Sequence, residues 1–241
     1  MKNQDYNNVI IACDFSSAES LFDFLPAFGE LRPYLKIGME LFYAEGPEIV
    51  RKLKSMGFPI FLDLKLHDIP NTVKKAMAVL SRLDVDMCNL HAAGTSQMMR
   101  AAVEGLTRAD GTRPILLAVT QLTSTSQEAM NSELLVEGQM TDVVSRYALN
   151  ARESGLDGVV CSPLETTVVK QTCGPKFLTV TPGVRFADSN VNDQVRVTTP
   201  ARARELGSDY IVVGRPITAA ENPYDAYTRC LKEFNNLITE S

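Results

Sequence analysis

The sequence lacks the features that mark membrane proteins, nucleic-acid-binding proteins and zinc proteins. No apolar run approaches the roughly 20 residues that are needed to cross a bilayer. The formal net charge of the 241 residues is -5, so no overall positive field exists to attract nucleic acid. With only two histidines and no Cys/His cluster, the sequence also argues against a zinc site.

Disulfide signals are also missing, because the five cysteines are scattered singly and no CxxC pair occurs. Their odd number and apolar neighbours favour reduced, buried thiols over a disulfide framework. The N-terminal stretch MKNQDYNN is polar and is not predicted to be a secretory signal. We therefore expect a cytoplasmic protein. The cysteines are Cys13, Cys88, Cys161, Cys173 and Cys230.

What the sequence does contain is a series of eight short apolar runs rich in valine, isoleucine and leucine. They cover residues 8–14, 34–38, 59–65, 87–93, 114–122, 158–163, 177–183 and 210–216. Continuous apolar runs of this length are typical of strands that are buried on both faces. The runs therefore predict eight strands of a parallel sheet.

Amphipathic segments with helix start and stop signals lie between these runs. Thr199 and Pro200 mark one helix start and Gly207 its end, whereas Pro26 predicts a kink or an early boundary in the first helix. Eight strand–helix units predict an α/β fold, a (β/α)8 TIM barrel that forms a single domain over residues 1–241. A doubly wound open sheet is the alternative, but no GxGxxG follows the first strand.

Two connections are longer than the barrel requires. Residues 123–140 are expected to hold a short extra helix. Residues 183–197 are polar and begin with glycine, and we expect them to form a lid loop on the phosphate side.

Charged residues interrupt the third apolar run, in the segment FLDLKLHDIPNT. Asp63 and Lys65 are two residues apart, so both side chains leave the same face of the strand and point towards the barrel axis. Lys36, at the end of the neighbouring strand, is positioned to join them. A barrel-closing ion pair is the structural alternative, but buried ion pairs are poor stabilisers, and this favours a functional role.

Other polar residues of this region have plausible structural roles. Asp68 precedes a predicted helix and could be its N-cap as readily as a functional residue. His67 is interpreted as a structural hydrogen-bonding residue. For His91, at the end of the fourth strand, lining of an active site and a place in the core are equally compatible with the sequence.

A phosphate site is predicted from the last two strand–helix loops, where barrels commonly bind phosphate. The loop after the seventh strand supplies Arg185 and Gln194, and the loop after the eighth supplies Gly214 and Arg215. Glycine lets the backbone approach an anion, and arginine offers a bidentate fork.

Taken together, these motifs resemble the orotidine 5′-phosphate decarboxylase family. The charged segment matches the family signature at Asp63, Lys65, Asp68, Ile69, Pro70 and Thr72. The resemblance extends along the whole chain, through Asp14, KIG (36–38), LTS (122–124), TPGVR (181–185), Gln194 and VGRPI (213–217).

The resemblance implies decarboxylation of orotidine 5′-monophosphate to UMP and CO2, without a metal or an organic cofactor. It implies that Lys65 protonates C6, that Asp63 lies near the departing carboxylate, and that Lys36 and Asp68 complete an array of four charges. It further implies a homodimer, in which Asp68, Ile69 and Thr72 act across the interface.

The resemblance also implies the roles of the substrate-binding residues. Asp14 and Lys36 would hold ribose hydroxyls, and Thr123 and Ser124 would meet the pyrimidine edge. The phosphate would be bound by Arg185, Gly214 and Arg215, Gln194 would bridge phosphate and base, and Pro182 would also contact the substrate.

Two alternatives remain at this point. A Mg²⁺-dependent sugar-phosphate decarboxylase or aldolase of the same barrel superfamily shares the Asp-x-Lys-x-x-Asp motif. Such enzymes carry a glutamate near the end of the second strand, where this sequence has Lys36, a cation in place of a metal ligand. A barrel that merely binds a nucleotide would share the phosphate features. It would give no reason to keep Lys65 between two aspartates.

Overall fold

Eight parallel strands form a closed barrel in chain order in the computed structural model, which describes residues 8–188 and 198–237. Each strand pairs with the next, and the eighth pairs with the first. The predicted (β/α)8 barrel is therefore confirmed. The strands are Val9–Ala12 (β1), Tyr34–Gly38 (β2), Ile60–Leu66 (β3), Met87–His91 (β4), Ile115–Val119 (β5), Gly158–Val160 (β6), Leu178–Thr181 (β7) and Tyr210–Val213 (β8).

Helices follow the strands around the outside of the barrel. Within the described residues they are Ala18–Phe24 (α1), Met39–Glu45 (α2), Pro47–Ser55 (α3), Pro70–Leu80 (α4), Thr95–Leu106 (α5), Gln127–Ser132 (α6), Met140–Glu153 (α7), Thr166–Cys173 (α8), Pro200–Glu205 (α9), Arg215–Thr218 (α10) and Pro223–Phe234 (α11). The extra helix expected between residues 123 and 140 is α6. The short helix α2 was not predicted.

Local signals fix two helix ends where the sequence placed them, the start of α9 and the end of α1. The hydroxyl of Thr199 accepts the N–H of Arg202 at 3.2 Å, which caps α9 as predicted. The first helix stops being α-helical at Phe24, and a 3₁₀ turn over Leu25–Phe28 contains Pro26. This early boundary is the one that the proline predicted.

The apolar side chains form two layers, because successive residues of a strand point to opposite faces. The outer layer lies between the strands and the helices and includes Ile11, Leu35, Leu62 and Leu64. The inner layer fills the barrel with the side chains of Ile10, Ala12, Tyr34, Phe61, Met87, Leu117, Val180 and Val212. The barrel interior is thus a packed core, and polar chemistry is confined to its ends.

Three aspartates repeat one arrangement at the amino-terminal end of the barrel. Each directly precedes an even-numbered strand, accepts an N–H of the preceding strand and pairs with a lysine or arginine. Asp86 accepts from Ile60 at 2.7 Å and Asp157 from Leu116 at 2.7 Å. Asp209 accepts from Thr179 at 2.7 Å, and its cation is Lys170. These charge-assisted hydrogen bonds join the strands in pairs.

Loss of one such aspartate is expected to destabilise the fold without changing the arrangement of side chains at the carboxyl end of the barrel. Asp157 accepts the Leu116 N–H and forms a bidentate ion pair with Arg113. Asp157→Ala should lower the free energy of unfolding by about 2 kcal/mol, because a strand N–H and a guanidinium both lose their partner. Urea unfolding measures the change. The control is Glu205→Ala, which removes an exposed pair with Arg202 and should cost less than about 0.5 kcal/mol. Equal effects of the two changes would contradict the assignment.

All five cysteines are buried and none of them forms a disulfide bond, as the sequence predicted. Over residues 8–188 and 198–237, no helix is both long enough and apolar enough to span a membrane.

Candidate active site

Four charged side chains form a connected array at the carboxyl end of the first three strands. The ammonium of Lys36 lies 2.8 Å from Asp14 Oδ1 and 3.4 Å from Asp63 Oδ2. The ammonium of Lys65 donates to Asp63 Oδ1 at 2.7 Å. The positive and negative groups therefore alternate in space, from Asp14 through Lys36 and Asp63 to Lys65. The structure brings these four predicted site residues together.

Strand register explains how residues far apart in sequence meet. Gly38 of β2 is paired with Asp63 of β3, so Lys36, two residues earlier on the same face, lies beside the aspartate. A Cβ atom on Gly38 would lie 3.2 Å from the Lys36 ammonium and 3.3 Å from Asp14 Oδ1. Glycine at this position therefore leaves room for the Lys36–Asp14 pair.

The array keeps its charges because each buried group has opposite charges beside it. Burial alone would lower the pKa of Lys36, but the carboxylates of Asp63 and Asp14 more than offset this, and the pKa is raised. Burial alone would raise the pKa of Asp63, yet Lys36 and Lys65 lower it, helped by hydrogen bonds from Lys65 and Asn89. Both groups are therefore ionised at neutral pH.

Lys65 has an unusual backbone conformation, with a φ of 51°. The pairing of β3 with β4 shifts its register between Leu62 and Leu66, around this residue. The N–H of Lys65 donates to the side-chain oxygen of Asn89 on β4 at 2.8 Å. The same amide group donates from Nδ2 to Asp63 Oδ1 at 2.7 Å. Asn89 thus contacts both members of the Asp63–Lys65 pair.

Two adjoining clefts open onto the array and share Lys36, Pro182 and Val212 in their walls. The first, of about 190 Å³, is bounded mainly by apolar groups and ends against Thr123. Its full lining is Lys36, Phe61, Asp63, Lys65, Val119, Gln121, Leu122, Thr123, Val160, Cys161, Pro182 and Val212. This shape suits a flat, largely apolar ring next to the charges.

The second cleft, of about 350 Å³, has the character of an anion site. It is lined by Ala12, Asp14, Lys36, Pro182, Gly183, Arg185, Val212, Gly214 and Arg215. Both predicted arginines are present, one from the end of β7 and one from the end of β8. Arginine side chains and an accessible glycine backbone are groups that bind phosphate.

The segment that carries Arg185 is held at several points. The N–H of Arg185 donates to the carbonyl of Thr198 at 3.0 Å, and the Thr198 N–H donates to the carbonyl of Gly183 at 3.2 Å. Phe186 is buried, and the guanidinium of Arg229 lies 4.2 Å from the centre of its ring. These contacts anchor the backbone on both sides of Arg185. The lid prediction for 183–197 falls largely on residues 189–197, which lie outside the described residues, as does Gln194.

The N-cap interpretation of Asp68 is wrong. The N-cap of α4 is Ile69, which makes no side-chain cap, and Asp68 Oδ1 accepts the N–H of Ile69 at 2.6 Å. Asp68, Ile69 and Thr72 are all exposed on this chain. The ion pairs that join Lys36, Asp63 and Lys65 do not include Asp68.

The two histidines lie beside the array rather than in it. His67 is exposed, and its ring centre lies 5.7 Å from that of the half-buried His91. Burial lowers the pKa of His91, and electrostatic interactions with His67 and Lys65 lower it further. His91 is therefore neutral at pH 7.

Sequence reasoning identified most of the charged groups and missed buried polar ones. Thr123 lines the apolar cleft, and Ser124 next to it is exposed. Gln121 and Asn89 were missed, although both are buried near the charges. Asn89 could have been found, because it lies two residues before His91 in MCNLH and so shares its strand face.

This arrangement defines the chain as a (β/α)8-barrel enzyme with its site at the carboxyl ends of the strands. The family model described as "Orotidine 5'-phosphate decarboxylase / HUMPS family" matches residues 7–230. The chain belongs to this family.

Named relatives and solved structures agree with this membership. The chain is 57% identical to orotidine 5'-phosphate decarboxylase of Bacillus cereus (strain AH187) over 233 residues, which cover 95% of this chain and 98% of that protein. The relative from Bacillus mycoides (strain KBAB4) has the same identity and coverage. The crystal structure of orotidine 5'-phosphate decarboxylase from Lactobacillus acidophilus is 44% identical, with a TM-score of 0.84, and the match covers 94% of this chain and 98% of that chain.

Proposed function

We propose that the protein decarboxylates orotidine 5′-monophosphate to UMP and CO2. The observation that carries the proposal is the Lys65 ammonium, 2.7 Å from Asp63 Oδ1, in the wall of an apolar cleft that adjoins an arginine-lined cleft. In the reaction the bond between C6 and the carboxyl carbon breaks, the electron pair stays on C6, and CO2 leaves. Lys65 then gives a proton to C6 and regains one from solvent.

The difficulty of this reaction explains why charges are worth burying. The electron pair left on C6 is poorly delocalised by the ring, so the intermediate is very unfavourable in water. Enzymes supply roughly 8–23 kcal/mol of transition-state stabilisation, and this reaction needs a value near the upper end. A fixed ammonium at the atom where negative charge develops is the strongest help that a side chain offers. Asp63 holds Lys65 in place, and its own charge would face the substrate carboxylate.

The two clefts divide the substrate between them. In the proposal, the pyrimidine occupies the apolar cleft, with Thr123 and Ser124 at its edge and Pro182 beside it. Asp14 and Lys36, which line the second cleft, hold the ribose hydroxyls. Binding energy from a phosphate distant from C6 can be used to fix the ring against Lys65.

The phosphate is assigned to Arg185, Gly214 and Arg215, which share the second cleft. Gln194 keeps its proposed bridging role between phosphate and base.

The proposed homodimer brings Asp68, Ile69 and Thr72 to the site of the partner subunit. The exposure of this segment supports the proposal, because Asp68 meets no cation of the array within its own chain. Ile69 is 66% exposed, and Met39 and Tyr43 of α2 are apolar residues exposed after the neighbouring strand. Exposed apolar groups grouped near a site are typical of an interface. An Asp68 supplied by the partner would join Lys36, Asp63 and Lys65 as the fourth charge of the set that the family resemblance implies.

The Mg²⁺-dependent alternative is disfavoured by the groups around the carboxylates. Lys36 lies between Asp14 and Asp63 at 2.8 and 3.4 Å, where its ammonium neutralises the oxygens that a cation would need. The donor set therefore does not fit a divalent metal ion.

A single assay tests the proposed function against both alternatives. Purified protein is mixed with orotidine 5′-monophosphate, and the loss of orotidylate absorbance is followed with and without a chelator. We expect equal, rapid turnover in both samples. Turnover that the chelator abolishes would favour the metal-dependent alternative, and binding without turnover would favour the nucleotide-binding one.

Arg215 is expected to act on the phosphate alone. Arg215→Ala should weaken UMP binding by about 10- to 100-fold, since one or two charge-assisted hydrogen bonds are lost, and should leave uridine binding nearly unchanged. Calorimetric titration with the two ligands measures this difference. Arg202→Ala, which changes an exposed arginine of α9 paired with Glu205, is the control. Equal weakening of both ligands would contradict the assignment.

A further inference from the structure

Lys65 is held in a backbone conformation that a lysine does not adopt without support. Its φ of 51° lies in the left-handed region, which costs a non-glycine residue on the order of 1–3 kcal/mol. The other described non-glycine residues with positive φ are Asp84, Thr95, Leu135 and Asn236, all outside the strands. Lys65 lies within β3, so the surrounding structure must stabilise this conformation.

The Asn89 side chain supplies that support from the neighbouring strand. Because the β3–β4 register shifts between Leu62 and Leu66, the N–H of Lys65 bonds to Asn89 Oδ1, at 2.8 Å. Nδ2 of the same group donates to Asp63 Oδ1, at 2.7 Å, the oxygen that also accepts from the Lys65 ammonium. One planar amide therefore fixes the backbone of Lys65 and the carboxylate that holds its side chain.

The chemistry of the two partners determines the orientation of this amide. An N–H can only donate, and an ionised carboxylate can only accept. The reversed amide would set oxygen against Asp63 and NH2 against the Lys65 N–H, and both contacts would be repulsive. Asn89 is 1% exposed, so water cannot replace either contact.

We propose that Asn89 is a positioning residue that holds Lys65 in its left-handed conformation and fixes Asp63 against its ammonium. This inference rests on the proposed function, in which Lys65 protonates C6. Asn89 itself touches no reacting atom. Asparagine suits the position because it combines an acceptor and a donor on a short side chain. Aspartate keeps only acceptors, leucine has neither, and glutamine is longer by a methylene in a packed site.

The test compares Asn89→Leu and Asn89→Asp with the wild type. Asn89→Leu keeps the branching at Cγ and removes both hydrogen bonds. We expect kcat to fall by about 10²-fold, since a misplacement near 1 Å can have such an effect, while the affinity for UMP is nearly unchanged. The affinity for a UMP analogue with an anionic oxygen at C6 should fall in parallel with kcat. A loss of affinity for the analogue without a loss of affinity for UMP is not expected from general damage to the barrel.

Asn89→Asp provides the test if the leucine variant does not fold. It keeps an acceptor for the Lys65 N–H but sets a second carboxylate oxygen against Asp63, so kcat should again fall while UMP still binds. The control is Thr179→Val, which removes buried hydroxyl hydrogen bonds to Gly207 and Asp209 at the other end of the barrel. This variant should lose stability and keep its kcat and its affinity for the analogue.

Three results would overturn the positioning role. These are a normal kcat in a folded Asn89 variant, an equal loss of affinity for UMP and for the analogue, and the same kcat loss in Thr179→Val. Wild-type turnover is measured first, because its absence would contradict the proposed function itself. Normal wild-type turnover with an unaffected Asn89 variant would contradict only the role of Asn89.

Discussion

Lys65→Ala is expected to reduce kcat for orotidine 5′-monophosphate by at least about 10⁴-fold, while UMP still binds. The variant loses both the proton donor for C6 and the ammonium that stabilises the developing negative charge, and each role alone is commonly worth 10²-fold or more. Binding should survive, because the phosphate and ribose groups belong to other strands. Single-turnover kinetics and calorimetric titration with UMP measure the two quantities separately.

The control for this prediction is Lys52→Ala. Lys52 is an exposed lysine of α3 on the outside of the barrel, so its loss should leave kcat unchanged. Substantial residual turnover by Lys65→Ala would show that another group protonates C6. A parallel loss of UMP binding would instead show that Lys65 mainly maintains the site.

Mixing two inactive variants is expected to restore activity if each site is built from two subunits. In a hybrid of Lys65→Ala with Asp68→Ala, one of the two sites has both changes and the other has neither. Random exchange makes half of the dimers hybrid, and half of their sites intact, so about one quarter of wild-type activity should return. If Asp68 acted within its own chain, no hybrid site would be intact.

The exchange itself must be demonstrated for this experiment to decide the matter. Differently tagged subunits, purified on one tag and detected by mass, report the fraction of hybrids. Activity that rises in step with that fraction supports an Asp68 supplied by the partner. No recovery after demonstrated exchange would contradict it.

The barrel could be predicted because its signals are repeated and local. Eight continuous apolar runs, separated by capped amphipathic segments, specify strands buried on both faces, and each run overlaps one strand of the barrel. Six of the eight predicted runs extended too far at their carboxyl ends, as at 158–163, where β6 ends at Val160. At these ends the chain leaves the hydrogen-bonded ladder before its apolar composition ends, so composition alone places the strand end too late.

The charged part of the site could also be predicted from the sequence, since period-two spacing places Asp63 and Lys65 on one face of the strand. What could not be predicted was the register shift beside Lys65 and its positive φ. Both accompany the hydrogen bond to Asn89, 24 residues further along the chain, and no local pattern encodes such a contact.

For Asp68, local sequence suggested a structural role that the structure does not show. An aspartate just before a helix has the local chemistry of an N-cap, yet the helix begins one residue later, after Ile69. The residue is exposed on the single chain, so neither local pattern nor this chain's own contacts explain its presence. A role in a second subunit is the explanation that we propose.

The central claim is that Lys65 delivers the proton at C6 in a site that Asp68 of the partner completes. The most direct measurement is a crystal structure with a UMP analogue that carries an anionic oxygen at C6. We predict that this oxygen lies about 3 Å from the Lys65 ammonium, a hydrogen-bonding distance, with the phosphate against Arg185 and Arg215 and a partner aspartate beside Lys65. An analogue whose C6 faces away from Lys65, or a site closed by one chain alone, would contradict the account.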